Sequence, residues 1–148
     1  MGHALMNLYV LAQSIVTPVA YAVAGAVTDR QGRILIVRHS YKPGWQLPLG
    51  GVDRGEPASD AVLRELKEEI GLTGGAASLF GIYTRKAGWA TNVIALYRVT
   101  EAIVDFRPNL EIREIAFADP AAPPAGCTDD TLRRLEELAG RSPPRPYW

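Results

Sequence analysis

The sequence predicts one α/β domain with a mixed β-sheet, and three features carry that reading. Two apolar runs, residues 19–27 and 33–38, flank the polar turn Asp29-Arg30-Gln31-Gly32. An amphipathic helical stretch follows at residues 56–70, and beyond it come further strand-like runs and a leucine-bearing helix near the C-terminus. A chain of 148 residues suits a single domain with a real core, here residues 1–148 with an N-terminal extension at 1–17 and a proline-rich tail at 141–148.

Taken in order, residues 4–28 carry no charge, a run long enough on paper to cross a bilayer. The strand, turn and strand read as a hairpin that claims its second half. What remains, residues 5–16, includes Asn7, Gln13 and Ser14 and ends at Thr17-Pro18. It reads as a helix or strand that is buried or covered by a partner, and no membrane span is expected. An export signal would want an early positive region and a cleavage site before the mature domain; the missing positive charge and the immediate hairpin both argue against one. A homodimer is one way to cover the uncharged segment.

Residues 39–45 form a turn-rich connection. Arg38 and Lys42 are candidates for substrate phosphate, and Tyr41 or Trp45 for stacking on a base. Trp45, beside Leu47 and Pro48, has a simpler reading as packing beneath a glycine loop, and His39 reads as a hydrogen-bonded loop residue.

The loop then supplies Gly50, Gly51 and Gly55, with Pro57 expected at the first helical position and Gly71 as the stop. Counted at 100° per residue from Glu56, Glu68, Glu65 and Glu69 fall at about 120°, 180° and 220°, while Val62, Leu66, Ile70 and Leu63 fall at about 240° to 340°. One arc is acidic and its neighbour apolar. The apolar arc pins the helix to a core, so the carboxylates are held on a firm surface. Glutamates at i, i+3 and i+4 repel one another, and a cation among them relieves that. Mg²⁺ is commonly shared between carboxylates and substrate phosphates, where it can acidify a water and neutralise phosphoryl charge. Arg64, at about 80° on the same helix, can orient a glutamate.

After the helix, Thr73-Gly74-Gly75 reads as a chain break, residues 77–84 and 91–99 as strands, and residues 85–90 as a loop. That loop offers Arg85, Lys86 and Trp89, two cations and a ring that suit a nucleotide as well as they suit a solvated hairpin tip. Residues 111–117 alternate as a strand. Residues 119–126 are too rich in proline for a helix or central strand. Thr128 or Asp129 then caps a helix with Leu132, Leu135 and Leu138, stopped by Gly140. The tail reads as disordered by default, with Tyr147 and Trp148 free to dock on a neighbouring subunit.

Sixteen basic and sixteen acidic residues cancel, so no global field favours nucleic acid or an anionic membrane. The single cysteine, Cys127, excludes an internal disulfide, fits a reducing cytoplasm and has little support as a nucleophile.

Gly50, Glu56, Arg64, Glu65, Leu66, Glu68, Glu69, Gly71 and Leu72 fit the pattern G-x5-E-x7-R-E-U-x-E-E-x-G-U without a gap, U being a bulky aliphatic residue. This resembles the signature of the Nudix hydrolases, and Trp45-Gln46-Leu47-Pro48 resembles the lead-in such proteins often have. Leu49 departs from a common glycine and Asp53 from a frequent glutamate. The resemblance implies an α/β/α sandwich that uses Mg²⁺ or Mn²⁺ to cleave the diphosphate of a nucleoside diphosphate linked to another moiety. It implies a metal set of Glu65, Glu68 and Glu69 with the Gly50 carbonyl and Glu56 or Glu111, and a catalytic set of Glu65, Glu68, Arg64 and Glu111, with Glu65 as ligand or as base. In this family a glutamate near residues 111–114 often completes the site. Glu111 is preferred over Glu114 because it precedes the strand. Family members specific for ADP-ribose tend to have a proline where this chain has Ala87, and those specific for dinucleoside polyphosphates a tyrosine where it has Trp89. A nucleoside triphosphate or nucleotide sugar is the unforced expectation. A nucleotide sensor without turnover and an RNA 5′-end pyrophosphohydrolase are the alternatives.

Overall fold

The computed structural model describes residues 2–148. Strands β1 (Val19–Val27) and β2 (Ile34–His39) flank the turn as the sequence predicts, but they do not pair as a hairpin. A single bridge, Thr28 to Ile34, joins them, and each then enters a different sheet. The larger sheet has the order β4 (Leu49–Gly51), β1, β6 (Ala90–Val104), β5 (Leu72–Ala87), with β1 parallel to β6 and the other pairs antiparallel. The smaller sheet has β3 (Trp45–Gln46), β2 and β7 (Ile112–Ala118).

Alternation along the strands explains why both sheets sit in one layer between helices. Ala22, Ala24 and Ala26 of β1 and Ile34 and Ile36 of β2 face one cluster, which includes Leu135 and Leu138 of α3 (Asp129–Leu138). Val23, Val27, Leu35 and Val37 face the opposite cluster, with Val62, Leu66 and Ile70 of α2 (Ala58–Ile70). Strands buried on both faces read as unbroken apolar runs, which is how β1 and β2 read. Gly25 lets α2 approach, since a Cβ there would lie 2.8 Å from Leu66 Cδ1. The α/β/α sandwich is therefore present.

Several local expectations are corrected. Pro57 is the N-cap of α2, not its first helical residue, while Gly71 closes the helix in the left-handed conformation. Gly74 and Gly75 do not break the chain: they take φ of 68° and 95° inside β5, which bends and stays paired with β6. The loop expected at residues 85–90 shrinks to a two-residue tip, because Arg85, Lys86 and Ala87 continue the ladder. His39 ends a strand and is buried, with Nδ1 lacking a hydrogen-bond partner, so it is not a hydrogen-bonded loop residue. Thr128 caps α3 by accepting from the Thr131 N–H.

The tail is ordered against its own chain. Thr84 N–H donates to Pro146 O at 2.8 Å and Trp148 N–H to Thr84 O at 3.1 Å, so the tail runs along the outer edge of β5. The N-terminal segment is helical, α1 (Gly2–Val16), but it is not buried. Leu5, Met6, Leu8, Tyr9, Val10, Leu11, Ile15 and Val16 are all exposed. No helix among the described residues is long and apolar enough to cross a membrane.

Candidate active site

Helix α2 presents Glu65, Glu68 and Glu69 to a cleft whose other side is Asn109, Leu110 and Glu111. The apolar arc places them: Leu66 and Ile70 are locked in the core, so the residues beside them must face outward along the cleft edge. Glu69 is the deepest, only 7% exposed, and its Oε2 has no partner. Burial, then the charges of Glu65, Glu111 and Glu68, push its pKa up to about 8. Glu65 lies against the backbone of Gly50, where a Cβ would fall 2.1 Å from Glu65 Cδ. Only glycine leaves that carboxylate room.

Arg64 organises the rim. It donates to both oxygens of Glu56 at 2.8 Å, to Glu65 Oε1 at 2.8 Å, to Glu68 Oε2 at 3.5 Å and to Gly51 O at 3.0 Å. The guanidinium, with the Asp53 N–H, holds the Glu56 carboxyl down at about 2. Both Glu56 oxygens are thus occupied in tying the glycine loop to α2, and Glu56 does not line the cleft.

Opposite α2, Glu111 is held by residues that no sequence signal singles out. The Asn109 side chain donates to Glu69 O at 3.0 Å and accepts from the N–H groups of Glu111 and Ile112 at 3.0 and 2.9 Å. Ser40 N–H donates to Glu111 O at 2.8 Å, and its hydroxyl donates to Leu110 O. The only sequence signal was Pro108-Asn109 before a strand, a turn cue and not a site cue. Glu114 is placed differently: it pairs with Arg38 at 2.8 Å across the β2–β7 ladder, and Arg38 also lies 4.4 Å from the Trp45 ring centroid.

The four carboxylates around the cleft are hard oxygen donors, the chemistry that Mg²⁺ and Mn²⁺ take. The unpartnered buried oxygen of Glu69, with three carboxylates facing it, fits such a cation. As the side chains stand, no three carboxylate, imidazole or thiol groups among the described residues converge on one point. Glu65 is held by Arg64, and Glu68, 61% exposed, is free to swing in.

A second cavity, of about 140 Å³, lies on the α3 side of the sheet. Tyr41, Lys42 and Arg85 line it, three of the expected substrate contacts, together with His39, Gln46, Leu47, Leu49, Thr128, Asp130, Thr131 and Trp148. Burial and the Lys42 charge lower the His39 pKa against an opposing pull from Glu111, and Glu111 and Glu69 add to the burial that raises Tyr41. The cavity and the acidic cleft therefore share an electrostatic neighbourhood. Arg38 instead borders a shallower groove with Tyr41 and Lys42, while Lys86 and Trp89 line neither, Trp89 standing 83% exposed at the hairpin tip.

The NUDIX domain family model matches residues 18–130. The chain belongs to the Nudix family. Among solved structures it is similar to a MutT NUDIX hydrolase from Burkholderia pseudomallei, at 26% identity and TM-score 0.70, covering 80% of this chain and 96% of that one. A UDP-X diphosphatase shares the Nudix fold at 17% identity and TM-score 0.59, over 94% of this chain and 74% of that one. Among curated proteins, an RNA pyrophosphohydrolase of Gluconacetobacter diazotrophicus is 47% identical over 58 residues, which cover 33% of this chain and 35% of that protein. One from Gluconobacter oxydans is 39% identical over 66 residues, 43% of this chain and 36% of that protein. The chain thus spans about a third of the length of the curated relatives it matches.

Proposed function

We infer that this Nudix chain is a pyrophosphohydrolase that cleaves the diphosphate linkage of a small nucleoside diphosphate derivative, a nucleoside triphosphate or a nucleotide sugar. The observation that carries the reading is the four-glutamate cleft with its buried, unpartnered Glu69 oxygen, set beside a cavity lined by Tyr41, Lys42 and Arg85. Glu65, Glu68, Glu69, Glu111 and the Gly50 carbonyl are the groups that would hold Mg²⁺ or Mn²⁺. When bound, such a cation supplies an acidified water and neutralises charge on the phosphate oxygens.

The chain's own residues do the rest. Lys42 and Arg85 draw the phosphates toward the cleft by charge-assisted hydrogen bonds. Arg64 fixes the rotamer of Glu65, which leaves that carboxylate poised to orient water as base or to ligate. Glu111 closes the far side on a loop that Asn109 and Ser40 hold in place. The single cysteine, with its thiol pushed up by burial, fits a reducing cytoplasm and no nucleophilic role.

The test is release of phosphate and pyrophosphate from nucleoside triphosphates, nucleotide sugars and dinucleoside polyphosphates with Mg²⁺ or Mn²⁺, wild type against Glu68→Gln. Metal-dependent turnover that collapses at least a hundredfold in the variant is expected. Tight metal-dependent binding with no turnover would overturn the reading in favour of a sensor. The named relatives justify adding a 5′-triphosphorylated RNA to the panel, although a formal net charge of zero gives a long polyanion little purchase.

A further inference from the structure

Resting on the nucleotide reading above, we propose that the cavity on the α3 side accepts a pyrimidine base and rejects purines, and that Leu49 and Trp148 are the walls that set this limit. The volume of about 140 Å³ is the size that holds one six-membered ring. A fused second ring would have to stand out through the mouth of the cavity or displace a wall. Leu49 is one wall: it pairs with Ala24 in the β4–β1 ladder, and its side chain lies against the same cluster as Ala24, on the α3 face.

Trp148 is the other wall, and its position is well braced. Beyond the backbone bonds to Thr84, its ring meets Tyr83 edge-on at 5.5 Å and the Arg134 guanidinium at 5.3 Å. Arg134 is fully buried and held by Glu137 through bonds of 2.7 and 2.9 Å, and it donates to Tyr147 O at 3.2 Å. Glu137 also accepts from the Arg145 N–H at 3.1 Å and from the Tyr83 hydroxyl at 2.7 Å. Tyr83, Thr84, Arg134 and Glu137 thus grip the tail on either side of its last proline. A wall anchored this way does not drift aside for a larger base, and inserting extra atoms against rigid walls is unfavourable. Tyr41 offers a ring for stacking, and Gln46 and Asp130 offer polar atoms to a base edge.

The experiment is a comparison of UTP, CTP, ATP and GTP as substrates for wild type, Leu49→Gly, Trp148→Ala and Trp148→Phe. Wild type should favour the pyrimidines at least tenfold in kcat/KM. Leu49→Gly and Trp148→Ala should each shrink that preference by lowering KM for the purines, while Trp148→Phe, which keeps a ring in place, should retain it. A purine preference in wild type, or purine KM values unmoved in both Leu49→Gly and Trp148→Ala, would overturn the proposal. Should no triphosphate be turned over, calorimetry with non-hydrolysable analogues separates the two readings. Tighter binding of the uridine than of the adenosine analogue, lost in Leu49→Gly, supports the pocket while removing hydrolysis. Equal binding of both overturns it.

Discussion

Replacing Glu69 with glutamine should stabilise the metal-free protein in alkaline solution and change little in mild acid. The carboxyl is buried beside three other carboxylates, and its pKa rises from 4.5 to about 8. Because the folded value lies above the unfolded one, the folded chain keeps a proton that the unfolded chain has released. The stabilisation tied to that proton is complete below about pH 4.5 and is lost as pH climbs from there through about 8. At 1.36 kcal/mol per unit, a rise of this size is worth about 5 kcal/mol at the alkaline limit. Glutamine has the same shape and cannot ionise, so it never meets this loss. The assay is urea unfolding in EDTA at steps from about pH 5 to pH 9, with both proteins measured side by side so that every other titrating group cancels in the difference. The difference should be small, about 1 kcal/mol or less, at about pH 5 and should reach roughly 4–5 kcal/mol in favour of the variant at about pH 9. A difference that stays flat across the range would refute the argument.

Gly50→Ala should keep the fold but lower turnover about 10- to 100-fold, because the new methyl displaces the Glu65 carboxylate that now lies against Gly50. Circular dichroism alongside phosphate release checks both halves. Arg64→Ala should free Glu56, whose pKa of about 2 returns toward the ordinary value near 4.3 in an NMR titration. Since that pKa is depressed in the folded chain, the support it lends is present above the ordinary range and fades as pH falls through about 2. Leu66→Ala should cost about 2–5 kcal/mol in denaturant unfolding. Gly25→Ala, whose methyl would meet Leu66, should cost less in the Leu66→Ala background than alone. The eight exposed apolar residues of α1 have no cover from the rest of the described chain, and a second copy is one way to provide it. Light scattering should therefore find a dimer, converted to monomer by Leu8→Asp with Leu11→Asp, and a wild-type monomer would contradict this.

Much of the site was legible in the sequence because a single helix carries it. A period of 3.6 residues is enough to put Glu65, Glu68 and Glu69 on one edge and Leu66 and Ile70 beneath them, and Gly71 marks the stop without ambiguity. The sequence could not separate ladder from layer: β1 and β2 read as a hairpin since their composition suits one, yet burial on both faces is equally met when they part into two sheets. Glycine misled in β5, where Gly74 and Gly75 curve a strand and do not end it. Contacts between distant residues left no local trace. Asn109 donating to Glu69 O, Ser40 bonding the carbonyls of Leu110 and Glu111, and Arg134 fastening the carbonyl of Tyr147 all depend on tertiary placement. The tail read as loose because proline-rich termini usually are. What overrode that expectation is a buried guanidinium with a carbonyl of the tail as its partner.

In β4 the residue after the base-side wall is the residue beneath the carboxylates: Leu49 borders the cavity, and Gly50 supports Glu65 from the other face. Adjacent positions in a strand point opposite ways, so the two tasks are insulated from each other for substitution but bound together for length. Base choice can be altered at Leu49 with the chemistry at Gly50 left alone. Removing or adding one residue between Pro48 and Val52 would turn both positions to the wrong faces at once. In this segment the spacing of the chain is the constraint that any redesign, or any natural divergence, has to respect.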